Sequence, residues 1–426
     1  VNAIYNLVDA YFVGGLGTSQ MGAISVVYPL GQVVVGLGLL FGNGAASYLS
    51  RLLGKGDKEK ANQVASTALY SSITVGVIMI IFSMIFLHPI LKLLGATDSI
   101  MPYAVTYASI YIVSCIFNVF NVTMNNIVTS EGAAKTTMLA LMAGAILNIG
   151  LDPVFIYVLD MGVAGAAIAT AISQIISTLV YLTFVLRKKS IYNFRIKNCT
   201  FTKEIISEIF KIGIPTLVFQ ILTSLSISLV NTQARPYGDS VIAGMGAVTR
   251  VVSMGSLMVF GFIKGFQPIA GYSYGAKKFD RLHEAIKTSI IWSTIFCVIY
   301  GLVLTIFSKG IISQFTKGDL EMIRVGTQSL RINGISFMLF GFYTVYSSLF
   351  LALGKGLAGF ILGSCRQGIC FVPVILILPA FWGINGILYV QPIADLLSAI
   401  ITIFMALHLH KELTLTKQKF LSEKTE

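Results

Sequence analysis

The sequence predicts an all-α protein that crosses a membrane many times. Of its 426 residues, 55% are hydrophobic and only 11% are charged, and the mean hydropathy is +0.83. In soluble domains about a quarter of the residues are charged. The apolar runs are about 20 residues long and do not alternate, which is typical of helical spans and not of a membrane barrel.

Twelve spans can be drawn, the first of them shortened because the chain begins at Val1 inside an apolar run and not at a Met. This start indicates that the beginning of the first helix is missing. The predicted spans are 1–15, 22–50, 63–87, 103–128, 137–158, 164–186, 208–234, 242–271, 285–308, 323–351, 357–379 and 384–408.

The lysines and arginines predict the orientation. The loops that follow the even-numbered spans, together with the C-terminal tail, carry nineteen of them, and the opposite loops carry five. Basic residues accumulate on the cytoplasmic side, so we expect a multi-pass protein of the cell membrane with a cytoplasmic C-terminus. The net charge of +12 is therefore a topology signal and does not indicate nucleic-acid binding.

An internal repeat divides the chain into halves. The segment RLLGKGDKEKANQVAST after span 2 resembles SYGAKKFDRLHEAIKTS after span 8, and the glycine pairs 54/275, 162/383 and 165/386 all lie 221 positions apart. Six spans per half is an even number, so both halves insert the same way up, as in several transporter folds. The predicted parts are an N-terminal six-helix bundle (1–186), a basic cytoplasmic linker (187–207), a C-terminal six-helix bundle (208–408) and a polar cytoplasmic tail expected to fray (409–426).

Carboxylates inside the apolar spans are the strongest functional signal. Of 18 Asp and Glu residues, only Asp9, Asp152 and Asp395 lie well inside spans, where a charge costs at least about 2.5 kcal/mol on insertion scales. Asn148 and Asp152 share one helix face, and Pro153, which lacks an N–H, leaves the carbonyl of Ile149 without its helical partner. These oxygens predict a small-cation site at membrane depth.

The other buried charges allow two interpretations. Arg366 in span 11 can pair with Asp395, which favours a structural ion pair over an ion-coupling role. Lys264 in span 8 either extends to the membrane surface or lines a cavity. The cysteines are odd in number and scattered, so we expect neither disulfides nor a metal site from Cys115, Cys199, Cys297, Cys365 and Cys370.

Three stretches resemble the MATE family (multidrug and toxic compound extrusion). They are VDAYFVGGLG at the start, NIGLDPVFIYVLDMGVAGAAIAT in the middle and KGFQPIAGYSYGAKK in span 8. The last of these stretches resembles most the MepA-like branch of the family, within the bacterial DinF/NorM group. The resemblance implies a V-shaped pair of six-helix bundles, a MOP-type fold. It also implies an antiporter that exports lipophilic, mostly cationic compounds by alternating access in exchange for Na⁺ or H⁺, with no other cofactor.

The resemblance also implies a cation site in the N-terminal bundle. By motif, its residues fall on Asp9, Asn148, Asp152 and Thr170, which are the candidate Na⁺ ligands, and by spacing on Tyr107. Asp9 and Asp152 would exchange the ion, Asn148 and Thr170 would offer neutral oxygens, and Tyr107 would hydrogen-bond a carboxylate. Both Na⁺ and H⁺ coupling remain open.

Some family members add acids in spans 7 and 10. Here span 7 has Gln220 near that place and span 10 has no acid, so a second coupling site is not expected. The stretch ILGSCRQGICFVPVILIL, which corresponds to span 5, keeps Pro373 but has no acid. The predicted drug cavity is lined by flexible or aromatic side chains that suit flat cations, together with two polar ones. Its candidate residues are Phe219, Gln220, Met254, Met258, Lys264, Phe337, Met338, Phe340, Tyr343 and Tyr346.

Two other functions have some features in common with this sequence. A lipid or lipid-linked precursor flippase of similar build would need a cationic cavity, for which Arg250, Lys264 and Arg366 are the available residues. A membrane-embedded enzyme is disfavoured because the four histidines lie at span ends or in loops and no DDxxD-like cluster occurs, so no catalytic residue is predicted. The expected partners are small lipophilic cations and the lipid bilayer, with no nucleic acid, and the expected state is a monomer.

Overall fold

The structure is a computed structural model that describes residues 18–94, 96, 98, 100–237, 239–314 and 320–425. The regular structure in this part of the chain is helical throughout, as predicted. The long helices before the linker are α1 (Thr18–Lys55), α2 (Lys58–Ile85), α4 (Met101–Ser130), α5 (Ala134–Pro153) and α6 (Gly162–Leu186), with the short α3 (Leu87–Leu93) between α2 and α4. The helices after the linker are α7 (Lys203–Ala234), α8 (Asp239–Gly275), α9 (Phe279–Ile306), α10 (Ser308–Ser313), α11 (Leu320–Phe337), α12 (Phe340–Ala352), α13 (Gly356–Ser364) and α14 (Phe371–Thr425).

Every predicted span from the second onward has a helical counterpart. Within the described residues, nine helices are long and apolar enough to cross a membrane, and α11 with α12 forms a tenth span bent by 52°. One of the nine runs over Gly356–Gln418 and is long enough to contain the last two predicted spans. The first predicted span, 1–15, lies outside the described residues. The chain is thus an all-α, multi-pass membrane protein.

Three helix breaks interrupt the predicted spans or separate them, and proline or glycine explains two of these breaks. Pro153 ends α5, and a π-helical turn, Val154–Val158, follows it. A second π-helical turn, Cys365–Ile369, follows α13. Within α14, Gly383 adopts φ 56° and ψ −132°, a conformation that side-chain-bearing residues rarely reach, and this kink separates two helices. Such local irregularities are common at functional positions in helices.

The chain divides into two compact units, Val1–Leu217 and Val218–Glu426. Unusual backbone conformations recur in both at the spacing of the sequence repeat. Gly162 and Gly383 have φ of 54° and 56°, and Gly56 and Lys277, also 221 positions apart, have φ of 81° and 55°. The same turns therefore occur at matching places in the two halves, which supports the internal repeat.

The basic linker packs on the first unit and does not run free. The Tyr192 hydroxyl lies 3.1 Å from the Ser130 hydroxyl, and Tyr70 donates to the Phe194 carbonyl at 3.0 Å. Helix α7 begins at Lys203, five residues before the predicted span, and Glu208 near its start accepts from Arg51 at 2.7 Å. These contacts explain why the compact unit extends beyond the predicted end of the bundle at 186.

The polar tail was expected to fray, but it is helical in the structure, where α14 continues through Thr425. Lys417 of this extension pairs with Asp280 at 2.5 Å, and Glu412 pairs with Lys355. Both partners lie at the ends of helices or loops of the same unit. The ion pairs therefore connect the extended helix to other parts of the same unit.

Candidate functional site

Asn148 and Asp152 meet inside the N-terminal unit. Both side chains are fully buried, and the Asn148 Nδ2 donates to Asp152 Oδ1 at 3.2 Å. The two residues are one turn apart on α5, so the predicted shared face is confirmed. A carboxylate buried at membrane depth is costly unless other groups solvate its charge, which is why this pair is the leading candidate site.

The backbone around the pair is shaped by proline and by close helix packing. Pro153 directly follows Asp152, and the π-helical turn begins at the next residue. A Cβ added to Gly165 of α6 would lie 2.7 Å from the Phe155 carbonyl oxygen of that turn. Glycine is therefore required for α6 to approach, and this contact holds the end of α5 against its neighbour.

Two other predicted residues of the cation site, Tyr107 and Thr170, lie on neighbouring helices. Tyr107 of α4 is buried, stacks on Tyr111 with ring centroids 5.8 Å apart, and belongs to one core cluster with Ile156 of the π-helical turn. Thr170 is buried on α6, one turn beyond Ala166 of the same cluster. Asp9 lies outside the described residues, so its place in the site stays a prediction.

The Asn148–Asp152 pair offers oxygen atoms suited to a hard cation. The Asn148 Oδ1 is buried and accepts no hydrogen bond from the described residues, so it is available as a neutral ligand. The described part of the chain holds no group of three His, Cys, Asp or Glu side chains that could bind a metal. A cation here would therefore depend on one described carboxylate together with neutral oxygens, which is the chemistry of a weak Na⁺ site or a protonatable acid.

A second buried carboxylate organises the C-terminal unit, and the predicted Arg366–Asp395 pair is present at 2.9 Å. Asp395 Oδ1 also accepts from Gln391 Nε2 at 2.9 Å and from the Tyr343 hydroxyl at 3.3 Å, and Oδ2 accepts from the Ser336 hydroxyl at 3.0 Å. Four donors satisfy this carboxylate, which is the arrangement of a structural charge and differs from an open cation site.

Sequence reasoning missed Ser336 and Gln391 as members of this cluster. A signal for Gln391 exists, because an amide stands four residues before a carboxylate in both units: Asn148 before Asp152, and Gln391 before Asp395. The repeat also places Gln391 at the position of Thr170, 221 residues earlier. Ser336 carries no comparable signal, because only the folded chain brings α11 beside α14.

The predicted cavity residues differ in how deeply their side chains are buried. Met254 and Met258 lie one turn apart on α8 and are exposed, while Gln220, Lys264 and Met338 are half-buried. Phe337 and Tyr343 are core residues in this structure: Phe337 stacks on Phe340 at 5.0 Å, and Tyr343 bonds to Asp395. The assignment of this set to a drug cavity stays a prediction.

Comparisons with known proteins decide the family. The profile of the MatE family matches residues 1–154 and 215–377, once in each half of the chain. The chain belongs to the MATE family. The multidrug export protein MepA of Staphylococcus saprophyticus is 31% identical over 424 residues, which cover 99% of this chain and 93% of the relative. A MepA protein of Staphylococcus aureus is 32% identical over 416 residues, covering 97% and 91%.

A solved MATE structure shares the fold. The chain is similar to a multidrug resistance MATE family transporter of the MOP superfamily in an outward-facing conformation, with a TM-score of 0.92, 25% identity, and coverage of 97% of this chain and 93% of the other. The MATE assignment and the MepA-like resemblance expected from the motifs are confirmed. The protein is therefore a membrane transporter.

Proposed function

We propose that this protein exports lipophilic, mostly cationic drugs in exchange for Na⁺ or H⁺, with Asn148 and Asp152 at the centre of ion coupling. The observation that carries the proposal is the fully buried Asp152 carboxylate, which accepts a hydrogen bond from the Asn148 amide and lies beside a helix break. The names of the MepA relatives support multidrug export as the cargo class.

Asp152 can store a charge change and transmit it to the helix that carries it. When the carboxylate is ionised its charge needs compensation by a cation, and when it is protonated it becomes a neutral hydrogen-bond donor. The Asn148 amide lies within reach of both forms, because it can donate through Nδ2 or accept through Oδ1. The oxygen donors suit Na⁺ when it is bound, and Thr170 and Tyr107 lie on the helices that would surround it.

The π-helical turn next to Asp152 can couple a change in the charge of this carboxylate to a movement of the backbone. The turn Val154–Val158 packs against α6 at Gly165, and Ile156 belongs to the core cluster that contains Tyr107. A change in the hydrogen bonds of Asp152 would shift the turn and, through these contacts, the packing of α4 and α6. This is the step that would link ion exchange to drug release.

The test uses purified protein in liposomes loaded with ethidium. Under an imposed Na⁺ or pH gradient, we expect the wild type to release ethidium. Asp152→Asn should release it only at the rate of ethidium-loaded liposomes that contain no protein. Asp9, whose role is predicted from the motif, lies outside the described residues, and Asp9→Asn should behave in the same way as Asp152→Asn.

The matched control is Asp57→Asn. Asp57 caps α2 by accepting from the Lys60 N–H at 3.1 Å, and Asn is an equally good cap. This variant removes one carboxylate outside the site and should transport normally. Ion-driven efflux near the wild-type rate in Asp152→Asn would overturn the proposed coupling role.

A further inference from the structure

The linker 187–203 runs beside the first turns of α2 and is hydrogen-bonded to them. Four side chains of α2 bond to linker backbone groups at 2.8 to 3.2 Å, and they are Asn62, Ser66, Thr67 and Tyr70. Tyr70 lies about 10 Å inside the span predicted over 63–87, at about 1.5 Å per residue. Helical side chains lean toward the N-terminus of their helix. The linker therefore lies at the level where this span enters the membrane.

The inward side of the linker is attached to the first unit. Tyr192 is 4% exposed, and its hydroxyl lies 3.1 Å from the Ser130 hydroxyl. The Glu131 carboxylate accepts from the Ser190 hydroxyl at 2.8 Å and from the Ile191 N–H at 2.7 Å. These contacts fix the path of the backbone, so the side chains that point away from the unit are held in defined positions.

The outward side of the linker combines large apolar side chains with basic ones. Ile191, Ile196 and Phe201 are 54%, 72% and 66% exposed, although they lie between two predicted spans. The basic side chains interleaved with them are exposed as well, and they are Arg187, Lys188, Lys189, Arg195, Lys197 and Lys203. Apolar residues interleaved with Lys and Arg are typical of segments that lie in the interface of a bilayer.

The six basic side chains form no ion pair with a carboxylate of the described residues. The sequence has no Asp or Glu over 161–203. The carboxylates that border the linker have other donors, because Glu131 accepts from two neutral linker groups and Glu204 accepts from Tyr48 and Lys60. The outward side therefore carries a positive charge that suits the phosphate groups of anionic lipids.

We propose that the linker 187–203 is an interfacial anchor that binds anionic phospholipids. Its exposed apolar side chains enter the boundary between headgroups and acyl chains, and its basic side chains bind the phosphates beside them. By the predicted orientation, these lipids belong to the cytoplasmic leaflet. The proposal is independent of drug export and of ion coupling, because lipid binding is measured without a substrate or a gradient.

The test places a fluorophore on the linker and quenchers on the lipid. Cys199 is half-buried whereas the other four cysteines are buried, so it can be labelled with nitrobenzoxadiazole iodoacetamide. The labelled full chain is placed in phosphatidylcholine nanodiscs that contain increasing amounts of nitroxide-labelled phosphatidylglycerol or nitroxide-labelled phosphatidylcholine. The ratio of the two quenching curves measures the local preference for the anionic lipid, and we expect phosphatidylglycerol to quench more strongly.

Two matched double variants assign this preference to the linker. Arg195→Gln with Lys197→Gln should lower it about fivefold or more, because one Lys or Arg near an anionic leaflet contributes about fivefold. The control, Lys278→Gln with Arg281→Gln, removes the same charge from exposed positions at the start of α9 in the other unit. It should leave the preference measured at Cys199 unchanged.

A third double variant tests the apolar contacts. Ile196→Ser with Phe201→Ser keeps every basic residue and should weaken the quenching by both lipids. Unchanged quenching in this variant, or no quenching of the wild type by either lipid, would overturn the anchor. Equal quenching of the wild type by the two lipids, or an unchanged preference in Arg195→Gln with Lys197→Gln, would overturn the binding of anionic lipid.

Discussion

The two buried aspartates contact different kinds of partner. Asp395 accepts four hydrogen bonds, one of them from an arginine, so its charge is compensated within the protein. Asp152 accepts from the neutral Asn148 amide, whose own oxygen is buried without a donor from the described residues. Asp395 therefore belongs to a fixed ion-pair cluster, whereas an ion-coupling role of Asp152 stays a prediction.

Glu131 is a third confined carboxylate, at the end of α4. Its Oε2 accepts from the Ser190 hydroxyl at 2.8 Å and from the Ile191 N–H at 2.7 Å, which ties the linker to the first unit. Burial raises the pKa of Glu131 from 4.5 to about 6, and the hydrogen bonds from the linker only partly oppose this shift.

The raised pKa predicts a pH dependence of stability. The folded state binds the proton more tightly than the unfolded state, so the stability that Glu131 contributes is fully present below pH 4.5 and is lost as pH rises through about 6. In detergent, the difference in melting temperature between Glu131→Gln and wild type should therefore shift in favour of the variant as pH rises from 4.5 through about 6. Glu59→Gln, an exposed control in α2, should follow the wild type. Parallel profiles for Glu131→Gln and wild type would contradict the prediction.

Several spans are interrupted, and the interruptions lie beside the candidate sites. The π-helical turn Val154–Val158 follows Asp152, and the turn Cys365–Ile369 carries Arg366. Proline predicted the first break, because it lacks an N–H. The second has no proline within the turn, and Pro373 lies beyond it. It was not predictable from residue pattern, since the ion pair to α14 that it serves is a tertiary contact.

Gly383 offers a direct test of a helix break. Its φ of 56° and ψ of −132° are strained for alanine by about 1–3 kcal/mol, and an added Cβ would lie 3.2 Å from the Tyr237 hydroxyl. Gly383→Ala should lower the melting temperature. Gly261→Ala is the control, because that glycine is helical and a Cβ there would have no neighbour within 4 Å. Equal melting temperatures for the two variants would show that the kink is not strained.

The molecule as a whole is a duplicated design whose halves have diverged chemically. The family profile matches once in each half, and the positive-φ residues recur 221 positions apart. Yet the carboxylate of α5 has no counterpart in the second unit, where the repeat places Pro373 at the position of Asp152. Duplication preserved the turns that set the helix directions, while the buried charges became specific to each unit.

The predicted orientation can be tested with a native residue. Cys199 lies in the linker and is half-buried, whereas Cys115, Cys297, Cys365 and Cys370 are buried. A membrane-impermeant maleimide should label Cys199 in inside-out vesicles and not in intact cells, because the linker is predicted to be cytoplasmic. Cys199→Ser should abolish this labelling. In that background Lys92→Cys, at an exposed position of α3 between the third and fourth predicted spans, should label in intact cells. The reverse labelling pattern would show that the topology is inverted.

Hydropathy, basic loops and repeated glycines were enough to predict the spans, the duplication and the Asn148–Asp152 face. These properties depend on local periodicity and on the cost of burying charge in lipid, which a single chain displays directly. Only the folded chain revealed that Ser336 of α11 and Tyr343 of α12 donate to Asp395 of α14. Hydrogen bonds between distant helices depend on helix rotation and packing, and no pattern along the sequence records those quantities.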